Sequence, residues 1–129
     1  MTPSSLNQDA DVELISAVVH EALRAFVDEI GEPPLPPWTE APEWMRSATL
    51  DGVRFRLENP YAPSSAQHDQ WMREKLEGGW RYGPTKDEAA KTHPSLLPYA
   101  ELSETEKRKD ALFAAIVSAL AGNPTDDEL

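Results

Sequence analysis

Prolines limit where this chain can form helices more than any other feature of its sequence. The chain has 12 prolines in 129 residues, including four in the segment PPLPP at 33–37 and three between residues 80 and 102. Proline lacks a backbone N–H and its ring clashes with the preceding turn, so it is accepted at the start of a helix but not in its interior. The stretches between these prolines are therefore expected to form separate helices.

Four such stretches carry apolar residues at helical spacing, at about residues 9–30, 42–58, 64–77 and 103–122. Apolar residues recur at three- and four-residue steps, which is typical of an amphipathic helix. In the first stretch they are Ile15, Val18, Val19, Ala22, Phe26 and Ile30. In the second they are Trp44, Met45, Ala48, Val53, Phe55 and Leu57, and in the last Leu112, Phe113, Ile116, Val117 and Leu120.

Local signals indicate where these helices begin and end. Ser64 with Gln67, and Ser103 with Glu106, have the spacing of a capping box, in which side chains satisfy free backbone N–H groups at a helix start. Gly52 weakens the prediction for the middle of the second helix. Glycines mark the ends of the other helices, at Gly31, Gly78, Gly79 and Gly122.

These segments predict a mostly α fold, a small compact bundle of about four helices. The region from residue 80 to residue 102 is rich in Trp, Gly and Pro and is expected to be irregular, with a short β-hairpin as an open alternative. Residues 1–8 are interpreted as a flexible leader, 9–122 as one domain, and 123–129 as an acidic flexible tail.

Charge and composition exclude several classes of protein. The net charge of −11 opposes affinity for nucleic acid. The segment 73–109 departs from this acidity, with eight basic and seven acidic residues, and could receive a small anion. No stretch approaches a membrane span, and no secretory signal is apparent, so a cytoplasmic location is expected. With no cysteine, disulfides, thiolate metal sites and a cysteine nucleophile are ruled out.

Motifs for catalysis or metal binding are not found in the sequence. His20 and Glu21 begin a zinc-protease pattern, but Arg24 stands where its second histidine belongs. The three histidines lack the spacing of metal ligands. Phosphate-binding glycine loops and the nucleophile elbow are also missing. We therefore expect a non-catalytic protein without a cofactor or metal.

Residues 68–110 contain the most specific pattern of the chain. A helix with a Trp is followed by a GW-x-YG turn and then by K-x-HP-x-L-x-PY-x-x-L-x-x-x-E-x-x-x-D. The positions are Trp71, Gly79, Trp80, Tyr82, Gly83, Asp87, Lys91, His93, Pro94, Leu96, Pro98, Tyr99, Leu102, Glu106 and Asp110. This pattern resembles the ryanodine-receptor-type repeat, or RyR domain. Similarity to the single-domain forms of bacteria and bacteriophages extends over about residues 15–120.

The resemblance implies a compact helical fold and a nucleotide-like ligand. In receptor channels the repeats occur as tandem pairs, and adenine nucleotide can lie between the two halves, against the helix Trp and near the His of the HP dipeptide. The matching residues here are Trp71 and His93, and Lys75 lies on a helix face suited to a phosphate. Aromatic stacking and a cation together suit a nucleotide. Further candidate ligand-binding residues in this segment are Arg73, Tyr82 and Lys91.

Each candidate also has a structural interpretation. Trp71 could be a core or interface residue, and Tyr82 could anchor its turn together with Trp80. His93 could hydrogen-bond a loop carbonyl. Trp38 and Trp44 flank the proline segment and are expected in the core, because an indole beside prolines usually packs against them.

The function expected from this pattern is binding of an adenine nucleotide or a nucleotide-derived signal, in bacterial or phage signalling or defence. An interaction module without a ligand is the alternative, and a nucleotide hydrolase with His93 as general base is a third. Because the chain has a single copy of the repeat, a shared site would need a homodimer.

Overall fold

The computed structural model describes residues 4–122, with side chains described from residue 11 onward. Four α-helices confirm the predicted mostly helical bundle: α1 (Ser4–Glu29), α2 (Glu43–Glu58), α3 (Ser64–Glu77) and α4 (Glu104–Ala121). α1 begins at Ser4, within the segment 1–8 that was interpreted as a flexible leader. The first three residues and the acidic tail lie outside the described part of the chain.

The apolar core is formed by three of the four helices. α1, α2 and α4 contribute a cluster of fully or almost fully buried side chains: Val12, Ile15, Val19, Val53 and Val117. Partly buried residues pack around it: Leu23, Leu50, Leu57, Phe113 and Ile116. Val18 and Ile30, which were predicted on the buried face of the first helix, are each 41% exposed. The buried face of α1 includes Ser16 and His20 instead of Val18, and Ile30 lies just after α1 ends at Glu29. Within residues 4–122, no helix has the length and apolar content needed to span a membrane.

Gly52 lies inside α2 without interrupting it. A Cβ atom built at this position would lie 2.9 Å from the ring of Phe113 on α4, which is closer than side-chain atoms normally approach. Glycine costs a helix interior about 1 kcal/mol relative to alanine. In this position the missing side chain lets α2 and α4 pack closely.

The proline segment is held against α1 by polar groups. His20 Nε2 donates to the carbonyl oxygen of Pro36 at 2.7 Å, and Arg24 Nε donates to Leu35 O at 3.2 Å. The backbone N–H of Trp38 donates to the Glu21 carboxylate at 2.9 Å, and this bond lowers the pKa of Glu21. Trp38 is buried, as predicted.

The irregular region contains two strands that pair in parallel, β1 (Arg81–Tyr82) and β2 (Thr92–His93). A hairpin, the alternative left open above, is therefore wrong. The chain reverses between Tyr82 and Asp87, which pairs antiparallel with Thr92. It reverses again in the turn from Asp87 to Thr92, where Ala90 N donates to the Asp87 carboxylate and Lys91 has a φ of 57°. It thus enters β2 in the same direction as β1.

The two predicted capping boxes have different outcomes. Ser103 is the N-cap of α4, and its hydroxyl accepts from the backbone N–H of Glu106. The box at Ser64 is wrong, because the N-cap of α3 is Pro63 and no side chain caps it. The Gln67 side chain instead accepts a hydrogen bond from Arg56.

This difference predicts unequal effects of two matched substitutions. Ser103→Ala removes a side-chain cap and should lower the free energy of unfolding by about 1 kcal/mol. Ser64→Ala is the control and should change the free energy of unfolding by no more than a few tenths of a kcal/mol. Urea titrations followed by circular dichroism would measure both, and equal effects would contradict the assigned caps.

Candidate ligand-binding site

Trp71 on α3 forms a wall between two neighbouring cavities, each of about 200 Å³. Both cavities are lined by Trp71 and by Ala48 of α2, so they are adjacent. We call the first the histidine-side cavity; its other lining residues are Leu23, Thr49, Gly52, Gln67, His68, Gln70, Ser95, Leu102, Glu106, Asp110 and Phe113. The second is the lysine-side cavity, lined also by Trp44, Ser47, Asp51, Glu74, Lys75, Gly78 and Trp80.

Two histidine rings contact the indole of Trp71. The His68 ring stacks on it with centroids 5.5 Å apart, and the two residues are three positions apart on α3. His93 meets it edge-on, at 5.1 Å and an angle of 76°. The strand pairing of β2 places His93 there, so Trp71 and His93, both candidates from the sequence, are brought together.

The polar wall of the histidine-side cavity combines His68 with groups from α4 and the preceding loop. His68 Nε2 donates to Leu97 O at 2.7 Å. Its Nδ1 lies 3.8 Å from Asp110 Oδ2. Glu106 accepts from Ser95 Oγ at 2.8 Å and pairs with Lys109 at 2.7 Å.

Burial changes the ionisation of two of these acids in opposite directions. The pKa of Asp110 is raised to about 6, mainly because burial disfavours its charge, against the attraction of His68. Glu106 is also desolvated, but its hydrogen bonds from Lys109 and Ser95 outweigh this and lower its pKa.

A buried arginine lies near this wall. Arg56 on α2 donates from Nε to Gln67 Oε1 and from Nη1 to Ala62 O at 2.6 Å. Its Nη2 and the Oδ2 of Asp110 are both buried without a hydrogen-bond partner among the residues described. Desolvation lowers the pKa of Arg56, while the Asp110 charge opposes that effect. Unpaired polar atoms of this kind need an explanation, because burial without a partner is costly.

The lysine-side cavity contains an ammonium group between indole rings. Lys75 Nζ lies 4.6 Å from the ring centroid of Trp44 and 4.8 Å from that of Trp80. Lys86 Nζ lies 5.0 Å from Trp44 on a separate segment. Lys75 is only 8% exposed, and its pKa is lowered by desolvation and then by repulsion from Lys86. The cavity also contains Glu74, whose pKa is raised by burial and by the nearby Asp51 carboxylate.

The other three candidates from the sequence lie away from Trp71. Arg73 is exposed and lines neither cavity. Tyr82 is 53% exposed on β1. Lys91 donates from Nζ to Gly78 O at 2.9 Å and so binds a free carbonyl at the C-terminus of α3.

Several cavity residues were not among the candidates from the sequence. Trp44 was expected in the core, but it is half-buried beside Trp80, with ring centroids 5.3 Å apart, and donates to Glu88. Asp110 reaches the cavity from α4, which no local spacing could indicate. His68 could have been found, because it shares a helix face with Trp71 and Lys75.

His93, the candidate general base from the sequence, is half-buried beside Trp71. The pKa of His93 is lowered to about 4, first by burial and then by Lys86, so its ring is neutral at pH 7 and a weak base. Its Nδ1 also accepts from Ser95 N at 3.0 Å. Across residues 4–122, no cluster of three or more His, Asp or Glu side chains is placed to bind a metal ion.

His93 and Asp110 should give stability opposite pH dependences. The pKa of His93 falls from 6.5 to about 4 on folding, so the unfolded chain takes up a proton first and acidification between these values destabilises the fold. The pKa of Asp110 rises from 3.8 to about 6, so the folded chain takes up a proton first and acidification stabilises the fold. In the wild type the two effects largely cancel.

Substitution of either residue should therefore reveal the pH dependence of stability that the other one causes. Relative to wild type, Asp110→Asn should lose stability on acidification from about pH 7 to about pH 4, by on the order of 3 kcal/mol. His93→Asn should gain a similar amount. Denaturant titrations across this range measure both, and profiles that shift in the same direction would contradict the two pKa changes.

Comparison with known families agrees with the pattern in the sequence. The RyR domain model matches residues 46–119, more than half of the chain. The matched region contains α3, both strands, all but the last two residues of α4 and most lining residues of the two cavities. Trp44, α1 and the proline segment lie before it. The match is shorter than the 15–120 expected from the resemblance. The chain belongs to the RyR domain family.

Proposed function

We propose that this protein is a non-catalytic module that binds an adenine nucleotide or a nucleotide-derived signalling molecule. The observation that carries the proposal is the position of Trp71, which lines two adjacent cavities of different chemistry. Hydrogen-bonding groups line one of them, and Lys75, indole rings and the carboxyl groups of Asp51 and Glu74 line the other. A nucleotide combines the same two chemistries, a flat base with polar edges and an anionic phosphate.

The base is assigned to the histidine-side cavity. Its volume of about 200 Å³ is below the roughly 300 to 1,000 Å³ of pockets that enclose a drug-sized ligand, so it suits one ring system better than a whole nucleotide. Stacking of a base on an aromatic side chain contributes roughly 1 to 3 kcal/mol. Trp71 supplies such a surface, and the polar wall supplies partners for the base edge.

The phosphate is assigned to the lysine-side cavity. Lys75 and Lys86 bring two ammonium groups close to Trp44, and neither forms an ion pair within the described part of the chain. Two neighbouring cations without a paired carboxylate favour an anion. Because Lys75 is buried, a phosphate would reach it only from within this cavity.

The non-catalytic part of the proposal rests on His93. A histidine with a pKa of about 4 gives little driving force for proton abstraction at neutral pH. We therefore favour binding over hydrolysis, in the role of a sensor or sink for a nucleotide signal in a bacterium or phage, in the cytoplasm.

A second candidate function is a protein-interaction module, which the exposed apolar side chains of Leu76 and Tyr82 favour. Each is 53% exposed, and tyrosine is enriched in protein interfaces. For this second function, the surface near the C-terminus of α3 binds another protein chain. A homodimer that pairs two copies of the repeat is one form of it.

Nucleotide binding is tested by a thermal-shift panel with adenosine, AMP, ADP and ADP-ribose. A ligand at 100 times its Kd should stabilise the fold by about 2.7 kcal/mol, with a corresponding rise in Tm. Trp71→Ala should abolish the shift while the variant still unfolds cooperatively. Arg73→Ala, a substitution on the exposed face of the same helix, is the control and should keep the full shift.

The other functions predict different results in the same experiment. Consumption of the added nucleotide would favour a hydrolase, and no shift with any nucleotide would refute the binding proposal. Light scattering with and without nucleotide tests whether two copies of the chain form one shared site. A strict monomer in both conditions would exclude a shared site.

The phosphate assignment is tested by a neutral substitution of similar length. Lys75→Met should weaken ADP binding about tenfold or more, because the ammonium contact to the phosphate is lost. Adenosine has no phosphate, so its binding should stay nearly unchanged. Lys107→Met is a matched control, since Lys107 also lies over an aromatic ring, that of Tyr99 at 5.5 Å, but outside both cavities. Equal losses for ADP and adenosine, measured by calorimetry, would contradict the assignment.

A further inference from the structure

One ionisable group of the histidine-side cavity has no hydrogen-bond partner of its own. His68 is bonded to Leu97 O, and Glu106 is bonded to Ser95 and Lys109. Asp110 lines the same cavity, but its Oδ2 is buried without a partner among the residues that the structure describes. A ligand in the cavity could supply the partner that the protein does not.

The position of Asp110 relates it to the stacking surface. Its carboxyl group lies 3.8 Å from Nδ1 of His68, and the His68 ring stacks on Trp71. The side chain is 27% exposed and lines the cavity, although its Oδ2 is buried. Trp71, His68 and Asp110 all line this cavity, so a flat ring bound there would have the Asp110 carboxyl group among its neighbours.

Charged groups from three helices act on Asp110. His68 belongs to α3, Arg56 to α2, and Glu106 and Lys109 to α4 itself. Their charges partly cancel, and desolvation dominates and raises the pKa of Asp110 to about 6. Both ionisation states are therefore within reach of small changes in pH.

The two states offer different hydrogen-bond patterns to a ligand. A neutral carboxyl group presents one O–H donor beside one acceptor oxygen, whereas a carboxylate presents acceptors only. The amino edge of adenine has one donor beside one acceptor. The corresponding edge of guanine has two neighbouring donors, which suit a carboxylate in a bidentate pair.

We infer that Asp110 determines which base the histidine-side cavity accepts, binding adenine through its neutral carboxyl group and guanine through its carboxylate. This inference rests on the proposed function, because it needs a base held against Trp71. It assigns a specificity-determining residue and a pH-dependent choice of base to that site.

The test uses the methyl monophosphate esters of adenosine and guanosine, because their single phosphate charge does not change between mildly acidic and neutral pH. Calorimetry at about pH 5 and about pH 7 should give an adenosine ester Kd about tenfold higher at the higher pH, as the neutral form of Asp110 is depleted. The guanosine ester should show the opposite trend.

Asp110→Asn is the matched variant, since its amide permanently presents a donor beside an acceptor, like the neutral acid. It should bind the adenosine ester equally at both pH values, about as tightly as wild type does at pH 5, and it should bind the guanosine ester weakly at both. The folded state of the variant is checked by circular dichroism at each pH.

Two kinds of failure are distinguishable. If wild type binds the adenosine ester equally at both pH values, or if Asp110→Asn keeps the wild-type pH dependence, Asp110 does not select the base and the proposed function is unaffected. If wild type binds neither ester nor any nucleotide of the thermal-shift panel, both the inference and the proposed function are wrong.

Discussion

The attachment of α3 by polar side chains is the interaction on which the rest of this structure depends. The apolar cluster joins α1, α2 and α4, whereas the buried residues of α3 are Gln67, His68 and Lys75. Gln67 is bonded to Arg56 of α2 and His68 to Leu97 of the loop before α4. These hydrogen bonds hold α3 to the bundle and also hold the irregular loop to α3.

Cavities beside Trp71 follow from this mode of packing. Apolar helix faces interdigitate at high density and leave few voids. A face that carries hydrogen-bonding and charged groups must instead be spaced so that each group reaches its partner. α3 therefore stands beside two cavities, and its tryptophan lies between them.

The same packing leaves charged groups in partly dry surroundings. Asp110 and His93 each favour their neutral form on burial, and Lys75 lies against indole rings where its charge is less well solvated. Groups held in this way cost stability. Perturbed groups of this kind cluster at functional sites, and their concentration around one tryptophan is the reason a binding site is proposed there.

Much of the fold could be predicted from the sequence because its signals are local. Proline positions and the spacing of apolar residues located all four helices, and Ser103 correctly marked the start of α4. The same capping pattern failed at Ser64, because Arg56 of α2 competes for Gln67 across the structure. The direction of β2 was also beyond the sequence, since it depends on two chain reversals, one before Asp87 and one between Asp87 and Thr92.

For the site, the sequence by itself determined the family pattern, the shared helix face of His68, Trp71 and Lys75, and the presence of His93 in the following loop. Only the tertiary structure decided that Trp71 and His93 touch, that Lys75 is buried between Trp44 and Trp80, and that Asp110 joins the same cavity. The physical reason is that hydrophobic period and capping act between neighbours along the chain. Burial, ionisation and cavity walls depend instead on which distant segments pack together.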